Sequence, residues 1–374
     1  MIEPTNLATV RLDRIAANLA AIRSRVEGRK VLVAVKADAY GHGAVEIAAM
    51  IEKTGAADWL GVATVDEALE LREAGIKLPI LKLSMARNPG EIDAAVAAGI
   101  TLTVTDVESI NAVAAAAASN RVVADVHLKV DTGMRRIGCP PEQAVDLAKL
   151  VDAASSLHLG GVFSHLPISD SPAGAEFTAA QIALFAQTVA AVEAARGPVP
   201  LKHLANSGGI LAHPDSWFDL VRAGIIVYGA YPDPEVARTV PLKPALEWRS
   251  YLSFVKPVAA GETVSYGRTW TAERDTVVGT VPVGYADGYS RLLSNRGRML
   301  IDGRSCPVIG RVCMDQTMVD LGPDATDLVG DEVVLIGVDG GEEITTTEIA
   351  TLMGTIPYEV TCLLTARVAR EFVG

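Results

Sequence analysis

The chain repeats one pattern eight times: a short apolar segment rich in β-branched residues, followed by an alanine-rich amphipathic segment. The apolar segments are Val31–Ala37, Trp59–Ala63, Pro79–Leu83, Thr101–Thr105, Val122–Val130, Leu157–Ser164, Leu201–Ala205 and Leu220–Tyr228. Segments such as Val65–Ala74, Val107–Ala118, Glu142–Ala153 and Ala179–Ala195 separate them. Short apolar strands that alternate with helices favour a parallel sheet. Eight such repeats predict an α/β fold, a (β/α)8 TIM-like barrel.

From Leu246 onward the pattern changes to β-rich runs punctuated by glycine. These runs are Trp248–Val258, Thr276–Val283, Met299–Asp302, Val308–Leu321, Asp331–Gly337 and Val360–Phe372, and only Thr345–Met353 reads as a helix. They predict a mainly antiparallel β domain. We therefore divide the chain into a barrel, 1–240, and a β domain, 241–374. The short N-terminal strand Thr9–Asp13 could join the β domain, and Asp13 could cap a helix from Arg14 to about Val26.

Charge and cysteine content limit the partners. The formal net charge of -12 argues against nucleic acid or an anionic membrane surface as the main partner. No apolar run looks long enough to cross a bilayer. The first residues lack the segments of a signal peptide, and the four cysteines form no C-x-x-C pair. We therefore expect a cytoplasmic protein with no metal site.

Lys36 directly follows the apolar run Val31–Val35. A lysine at the end of a buried parallel strand is either a surface residue or part of a functional site, because such barrels carry their chemistry at the carboxyl ends of the strands. The phrase Val35–Gly43, V-K-A-D-A-Y-G-H-G, resembles the pyridoxal-phosphate (PLP) lysine motif of alanine racemases. The resemblance implies that Lys36 binds PLP covalently and that Tyr40 reaches its phosphate.

Polar residues that share one face mark the end of the fifth predicted strand. They are His127, Lys129 and Asp131. A surface strand end would explain them, but the run K-V-D-T-G-M-R-R-I-G also resembles the family's second motif. There, the arginine that matches Arg136 bonds the cofactor's phenolic oxygen and the substrate carboxylate. The lysine that matches Lys129 is often carbamylated and fixes that arginine, and Arg135 stands where the family commonly has a small residue.

Two further polar residues lie on or directly after the later predicted strands. A lone histidine after a strand, such as His165, is usually structural, but this one resembles the family's active-site histidine. The loop that follows, L-P-I-S-D, departs from the usual family sequence. The arginine that matches Arg222 bonds the pyridine nitrogen of the cofactor. Because arginine keeps its proton, that nitrogen should stay unprotonated and the ring should be a weaker electron sink.

The run H-L-A-N-S-G-G, from His203 to Gly209, follows the seventh predicted strand. Asn206 and Ser207 before a helical stretch are most often a helix cap, although the free N–H groups of a helix start can also bind phosphate. In the family, residues matching Ser207, Gly224 and Ile225 cradle the phosphate. We take Asn206 as a further cofactor-binding residue and His203 as a supporting residue.

Four short motifs in the β domain resemble family signatures in the family's order. They are V-S-Y-G at Tyr266, G-Y-A-D-G at Tyr285, R-V-C-M-D-Q at Met314 and Asp315, and P-Y-E-V at Tyr358. The resemblance implies that Tyr266 is catalytic and that the Met314 N–H binds the substrate carboxylate. Tyr358 should reach the phosphate and narrow the substrate pocket, while Tyr285 and Asp315 support the site.

The resemblance covers essentially the whole chain and implies a racemase that interconverts L- and D-alanine with two bases, Lys36 and Tyr266. It further implies a homodimer whose active sites are shared across the interface, and a supply of D-alanine for peptidoglycan. The alternatives are a racemase of broader specificity, for serine or lysine, a non-catalytic PLP-binding barrel, and a PLP decarboxylase of related fold. The non-catalytic proteins lack the β domain, and the decarboxylases usually carry a cysteine-glutamate signature that is not found after Cys306 or Cys313.

Overall fold

A computed structural model describes residues 4–374 of the chain. The chain begins with strand β1 (Leu7–Arg11) and helix α1 (Leu12–Arg25). Arg11 precedes α1 without a side-chain cap, and Asp13 lies in the first turn, where its carboxylate pairs with Arg11 at 3.0 Å. The expectation that Asp13 caps this helix is therefore wrong by about two residues.

Eight parallel strands form the predicted barrel. They are β2 (Lys30–Ala34), β3 (Trp59–Val62), β4 (Ile80–Lys82), β5 (Thr101–Val104), β6 (Ala124–Lys129), β7 (Leu157–Phe163), β8 (Leu201–His203) and β9 (Leu220–Ala223). Each strand pairs with its sequence neighbour, and β9 pairs back onto β2. Between β8 and β9 the Arg222 N–H donates to Ala205 O at 3.0 Å. The barrel is thus nearly closed, as the eightfold repeat predicts.

Helices surround these strands. They are α2 (Lys36–Gly41), α3 (Ala44–Thr54), α4 (Val65–Glu73), α5 (Pro89–Ala97), α6 (Val107–Asn120), α7 (Ala144–Ala153), α8 (Ala175–Arg196) and α9 (Ser207–Ala212). Polar caps start several of them: Thr64 and Glu67 form a reciprocal capping box on α4, and Asp106 and Ser109 form one on α6. The predicted eighth strand is shorter than expected, because residues 225–228 form a 3₁₀ turn.

The expectation that no apolar run is long enough to cross a bilayer needs a correction at helix α8. The helical segment Pro172–Arg196 is long and apolar enough, by length and composition alone, to cross a membrane. Its side chains Phe185, Val189 and Val192 are buried against the rest of the chain. In the fold, α8 packs beside α7 as one of the barrel helices.

The β domain consists of strands β10 (Leu246–Tyr251), β11 (Phe254–Val258), β12 (Thr263–Val264), β13 (Trp270–Thr271), β14 (Thr276–Val281), β15 (Arg298–Ile301), β16 (Arg304–Ile309), β17 (Thr317–Gly322), β18 (Glu332–Asp339), β19 (Glu342–Ile344) and β20 (Ala369–Val373), with helices α10 (Thr346–Met353) and α11 (Pro357–Cys362). Its main sheet has the order β11-β14-β17-β16-β15-β18-β10-β1-β20. The pairs are antiparallel except β1 with β20. The N-terminal strand therefore lies in this second sheet.

Three sequence predictions for this region are wrong, and one of them is the run Trp248–Val258, which breaks at Leu252 and Ser253 between β10 and β11. The run Val308–Leu321 is interrupted by a loop between β16 and β17, and the run Val360–Phe372 begins as helix α11. Pro357 stands at the first helical position, where its missing N–H and fixed φ favour a helix start. The predicted boundary at residues 240 and 241 falls in the connection before β10 and stays a prediction, and residues 1–3 lie outside the described part.

Candidate active site

The sequence-predicted barrel residues meet at one rim, where the parallel strands end. Lys36 follows β2 by two residues, Lys129 ends β6, His165 follows β7 by two residues, His203 ends β8 and Arg222 lies on β9. Of these, Lys129, His203 and Arg222 are buried. Burial and the charges of Arg222, Lys129, Arg136 and Lys36 lower the pKa of His165 well below its usual value, and Arg222 Nη2 lies 3.2 Å from His165 Nδ1.

The segment after Lys36 has an unusual backbone. Residues Ala37 to Tyr40 all have left-handed dihedrals, with φ between +51° and +56°, a conformation that costs an L-residue roughly 1–2 kcal/mol. Two carboxylates hold the segment: Glu67 Oε1 accepts from the Ala37 N–H and Asp38 Oδ1 from the Ala44 N–H, both at 2.7 Å. The tight turn expected after Tyr40 therefore begins earlier, directly at the lysine.

Lys36 itself is half-buried, and its ammonium lies 5.9 Å from the centre of the Tyr40 ring. Burial and the nearby Arg136 lower the pKa of Lys36 below its usual value, while Glu67 and Cys362 act in the opposite direction. A lower pKa raises the fraction of neutral amine at physiological pH. Such a lysine is suited both to nucleophilic attachment and to proton transfer.

Arg222 is the hub of the buried polar groups. Its Nη2 donates to the Ser164 and Leu204 carbonyl oxygens, at 2.7 and 2.9 Å, and to His165 Nδ1 at 3.2 Å. Its Nη1 donates to His203 Nδ1 at 2.9 Å. Its Nε makes no hydrogen bond within residues 4–374, which leaves an N–H for a ligand. Burial and Arg136 lower the pKa of Arg222 to about 9, so the guanidinium keeps its proton at neutral pH.

A chain of histidines extends from this arginine into the barrel. His203 must accept at Nδ1, because arginine only donates, so the proton of His203 is on Nε2. That atom lies 2.9 Å from His127 Nδ1 and donates to it. Burial and the charge of Arg222 lower the pKa of His127 to about 3 and that of His203 well below its usual value. Both rings are therefore neutral. His203 accepts a hydrogen bond from Arg222, and His127 fixes the orientation of His203.

A small polar cradle lies beside the hub. The Gly224 N–H donates to Ser207 Oγ at 3.1 Å, and a β-carbon at Gly224 would lie 3.0 Å from Tyr40 Oη. The Tyr40 and Tyr358 rings pack with centroids 5.8 Å apart, and burial raises the pKa of both hydroxyls, so both remain donors. Ile225 opens the 3₁₀ turn. Hydroxyls, a glycine gap and the first N–H groups of a turn together fit a phosphate.

Lys129 is buried at the end of β6, and Arg136 is exposed on the loop that follows it. Burial and the charges of Arg222, Arg136 and Lys36 lower the pKa of Lys129 to about 7. Arg136 also lowers the pKa of Lys36 and of Arg222, so its charge faces the cluster. Arg135 is exposed and has a left-handed φ of +56°, which gives a physical reason for the small residue common at this position in the family.

The loop after His165 is anchored to Asn206. The Asn206 amide nitrogen donates to Leu166 O at 2.9 Å, and its Oδ1 accepts from Ser169 Oγ at 2.7 Å. The same Oδ1 accepts from the Gly209 N–H at 3.0 Å and so caps α9. The side chain of Asn206 is therefore occupied by a cap and a loop anchor.

Three of the predicted residues of the β domain, Tyr266, Met314 and Tyr285, form a separate, exposed group. The exposed fractions are 72% for Tyr266, 53% for Met314 and 43% for Tyr285. Ser265 Oγ donates to Arg311 O at 2.7 Å, which ties the Tyr266 turn to the Met314 loop. The Tyr285 N–H donates to Cys313 O at 3.1 Å. Within the described residues, none of the three has a hydrogen bond to the Lys36 rim, and the Met314 N–H donates none at all.

Asp315 belongs to this exposed group. Its carboxylate accepts from Arg367 Nη1 at 2.9 Å, and Arg367 also pairs with the buried Asp287 at 3.1 Å. The Asp287 carboxylate in turn accepts from the Gly284 N–H at 2.9 Å. Asp315 thus stabilises the loop pair that carries Tyr285 and Met314.

Two polar residues of the site were not selected from the sequence. Glu67 contacts the backbone just after Lys36, and His127 ends the histidine chain. The signal for Glu67 was present as the capping box T-x-x-E at Thr64. His127 was noted on the polar face of its strand, but only the tertiary structure shows that its partner is a histidine two strands away.

Comparisons with known proteins match both domains of the chain. A family model for the alanine racemase N-terminal domain matches residues 10–232, and the model for the C-terminal domain matches residues 245–372. The alanine racemase of Cutibacterium acnes is 54% identical over 367 residues, which cover 98% of this chain and 97% of that protein.

Solved structures give the same result. The alanine racemase of Clostridium difficile 630 aligns with a TM-score of 0.94 at 37% identity, covering 100% of this chain and 97% of its own. The alanine racemase of Bacillus anthracis with bound L-Ala-P aligns with a TM-score of 0.92 at 32% identity, covering 100% and 96%. With both domains matched over nearly the full length, the chain belongs to the alanine racemase family.

Proposed function

We propose that this protein is a PLP-dependent alanine racemase that interconverts L- and D-alanine. The observation that carries the proposal is the rim itself: it holds a half-buried lysine of lowered pKa, a buried arginine and a cradle of hydroxyl and N–H groups. Family membership and the Bacillus anthracis relative solved with bound L-Ala-P support alanine as the substrate.

The residues present fit PLP. Lys36 would hold it covalently, and Tyr40, Ser207, Gly224, Ile225 and Tyr358 would hold its phosphate. Arg222 has an unused N–H for the pyridine nitrogen, and His165, Asn206 and His203 support the pocket. When bound, PLP supplies an electron sink for the charge that develops as Cα loses its proton. Because Arg222 keeps its own proton, it would donate a hydrogen bond to the ring without protonating it.

Two proton carriers on opposite faces of Cα would invert the substrate. Lys36 provides one, and its lowered pKa brings the amine closer to a useful range. Tyr266 provides the other. We assign Lys36 to D-alanine and Tyr266 to L-alanine, following the family.

Tyr266 would come from a second copy of the chain. It is 72% exposed on the β domain and makes no hydrogen bond to the Lys36 rim within the described residues. In this scheme, Tyr266, Met314 and Tyr285 act at the barrel rim of a second copy of the chain. We propose a head-to-tail homodimer in which the partner's Tyr266 meets His165, which Arg222 holds in place.

The substrate carboxylate would be bound from both chains, by Arg136 and by the Met314 N–H of the partner subunit. Lys129 would fix Arg136, and a pKa of about 7 makes its amine neutral enough to take up carbon dioxide as a carbamate. Tyr358 packs against Tyr40 at the cradle, so it would narrow the space beside Cα and favour alanine over serine or lysine.

The proposed setting is the cytoplasm, where the product D-alanine would serve peptidoglycan synthesis. Family membership supports this setting, as does the absence of paired cysteines among the described residues.

The test is incubation of the PLP-loaded protein with L-alanine in D2O, with Cα deuteration and D-alanine both followed. Deuteration together with D-alanine is expected. Deuteration without inversion would mean a single working base and would contradict the two-base scheme. If neither occurs although borohydride traps PLP on Lys36, alanine is the wrong substrate. Parallel assays with serine and lysine then decide the specificity.

A further inference from the structure

Glu67 uses its two carboxylate oxygens on two different segments of the chain. Oε2 accepts from the Ala63 N–H at 2.7 Å and from the Thr64 N–H at 3.0 Å, which completes the capping box of α4. Oε1 accepts from the Ala37 N–H at 2.7 Å. A capping box needs only the bonds that Oε2 accepts. The remaining oxygen ties α4 to the residue that follows Lys36.

That link is made where the backbone is most strained. Ala37 is the first of four consecutive residues with left-handed dihedrals, which persist only where the surroundings enforce them. Ala37 itself is exposed, so the contact acts by holding the backbone in place rather than by satisfying a buried donor. With the Glu67 carboxylate in place, the Ala37 N–H is satisfied and the lysine side chain starts from a fixed backbone direction.

Glu67 also affects the charge environment of Lys36. Groups from six different segments face or influence this amine: Tyr40 on α2, Glu67 on α4, Lys129 on β6, Arg136 on the following loop, His165 after β7 and Cys362 on α11. Glu67 is the one carboxylate among them. The positive charges favour the neutral amine, and the carboxylate favours the ammonium form.

We propose that Glu67 is a positioning residue for Lys36: its carboxylate fixes the left-handed turn from which the lysine projects and keeps the amine able to hold a proton. The inference rests on the proposed function, because a proton carrier has to visit both protonation states. Burial and Arg136 push the pKa of Lys36 down, and Glu67 limits that fall.

Two variants separate the turn contact from the helix cap. Glu67→Gln keeps the size of the side chain but removes its charge and one of its acceptor oxygens. Thr64→Ala removes the bond from the Glu67 N–H to Thr64 Oγ and leaves Oε1 on Ala37, so it is the matched control. A third variant, Glu67→Asp, keeps the charge but is too short to reach the same three N–H groups.

The first measurement is competitive acetylation of Lys36 in the PLP-free protein across a pH series, quantified by mass spectrometry. The expected result is a lower apparent pKa for Lys36 in Glu67→Gln than in the wild type and in Thr64→Ala. The second is PLP affinity, which should weaken about tenfold in Glu67→Gln, the equivalent of one lost hydrogen bond to a charged group. Glu67→Asp should weaken PLP binding but lower the apparent pKa of Lys36 less than Glu67→Gln does.

A Lys36 pKa that is unchanged in Glu67→Gln would overturn the proposal. So would equal effects of Glu67→Gln and Thr64→Ala, because these would trace to capping of α4. If Glu67→Gln does not fold, the comparison of Glu67→Asp with Thr64→Ala decides the geometric part. The acetylation uses neither PLP nor alanine, so its outcome is independent of whether the protein racemises alanine.

Discussion

Lys36 and Arg222 lie in the same buried rim but have opposite tasks, because one has to exchange a proton and the other has to keep it. Burial lowers the pKa of both groups. The outcome differs because the starting values differ: a lysine starts near 10.5 and an arginine at 12.5 or above. The same desolvation therefore prepares Lys36 for proton transfer and leaves Arg222 a permanent donor.

Substitutions of the two proposed bases should have different effects on PLP attachment and on turnover. Lys36→Ala should abolish covalent attachment of PLP and all turnover. Tyr266→Phe should retain PLP on Lys36 and lose about 10²–10⁴-fold in turnover, the usual contribution of a general acid or base. Borohydride trapping followed by mass spectrometry measures attachment, and a D-alanine assay measures turnover. A Tyr266→Phe enzyme with wild-type turnover would rule out the two-base scheme.

At the scale of elements, the decisive contact is between α2 and α11. A β-carbon at Gly41 would lie 2.2 Å from the Thr361 carbonyl oxygen, and Arg370 Nε donates to Gly41 O at 2.9 Å. This contact brings Tyr40 from the barrel and Tyr358 from the β domain to one cradle. The phosphate site thus depends on how closely two short helices approach each other.

Gly41→Ala tests this contact, and Gly55→Ala is its control. Both glycines have positive φ, +81° and +64°, but a β-carbon at Gly55 would meet nothing within 4 Å. Gly55→Ala should cost about 1 kcal/mol from backbone strain alone, and Gly41→Ala more than about 2 kcal/mol because overlap is added. Urea unfolding of the PLP-free proteins measures both, and PLP affinity should fall only in Gly41→Ala. Equal destabilisation would show that the helix approach is not tight.

At the scale of the whole molecule, four histidines with lowered pKa values make stability depend on pH. Burial lowers the pKa of His42 to about 4 and of His127 to about 3, and those of His165 and His203 well below their usual value. Between these values and about 6.5 the unfolded chain binds protons that the folded chain does not. The free energy of unfolding should therefore fall as the pH drops below 6.5, by about 1.4 kcal/mol per pH unit for each histidine.

The measurement is the urea midpoint at several pH values between 7 and 5. His42→Asn should reduce the slope by the share of one histidine, because an amide can replace the donor that bonds the Ala39 and Tyr40 carbonyls. His158→Gln is the control, since His158 is exposed. Stability that is constant between pH 7 and 5 would contradict neutral burial of these rings.

A shared active site makes a second prediction for the assembled molecule. Lys36→Ala and Tyr266→Phe should each be inactive as homodimers, but a mixed dimer contains one intact pair of Lys36 and Tyr266. After subunit exchange, activity should return to about a quarter of the wild-type level, because half of the dimers are mixed and each has one working site. No recovery, with exchange confirmed by native mass spectrometry, would place both residues in the same chain's site.

The sequence by itself determined the eight barrel strands, the change to a β domain and most residues at the barrel rim. A continuous apolar run is a local pattern, so strands such as Val31–Val35 can be predicted without knowing which strands they pair with. Lys36 was predicted at the end of a buried strand, where such barrels carry their chemistry, and the family motifs added Lys129 and His203 to the site. Family motifs added the β-domain residues Tyr266 and Met314.

Only the tertiary structure decided the rest. The left-handed turn after Lys36 is held by the Glu67 and Asp38 carboxylates, and residues 360–362, predicted as the start of a strand, instead end helix α11. The partner of His127 lies 76 residues along the chain, beyond the reach of any local pattern. Dihedral choices in short segments are worth only a kilocalorie or two per residue, so contacts between distant parts of the chain outweigh local preference and fix them.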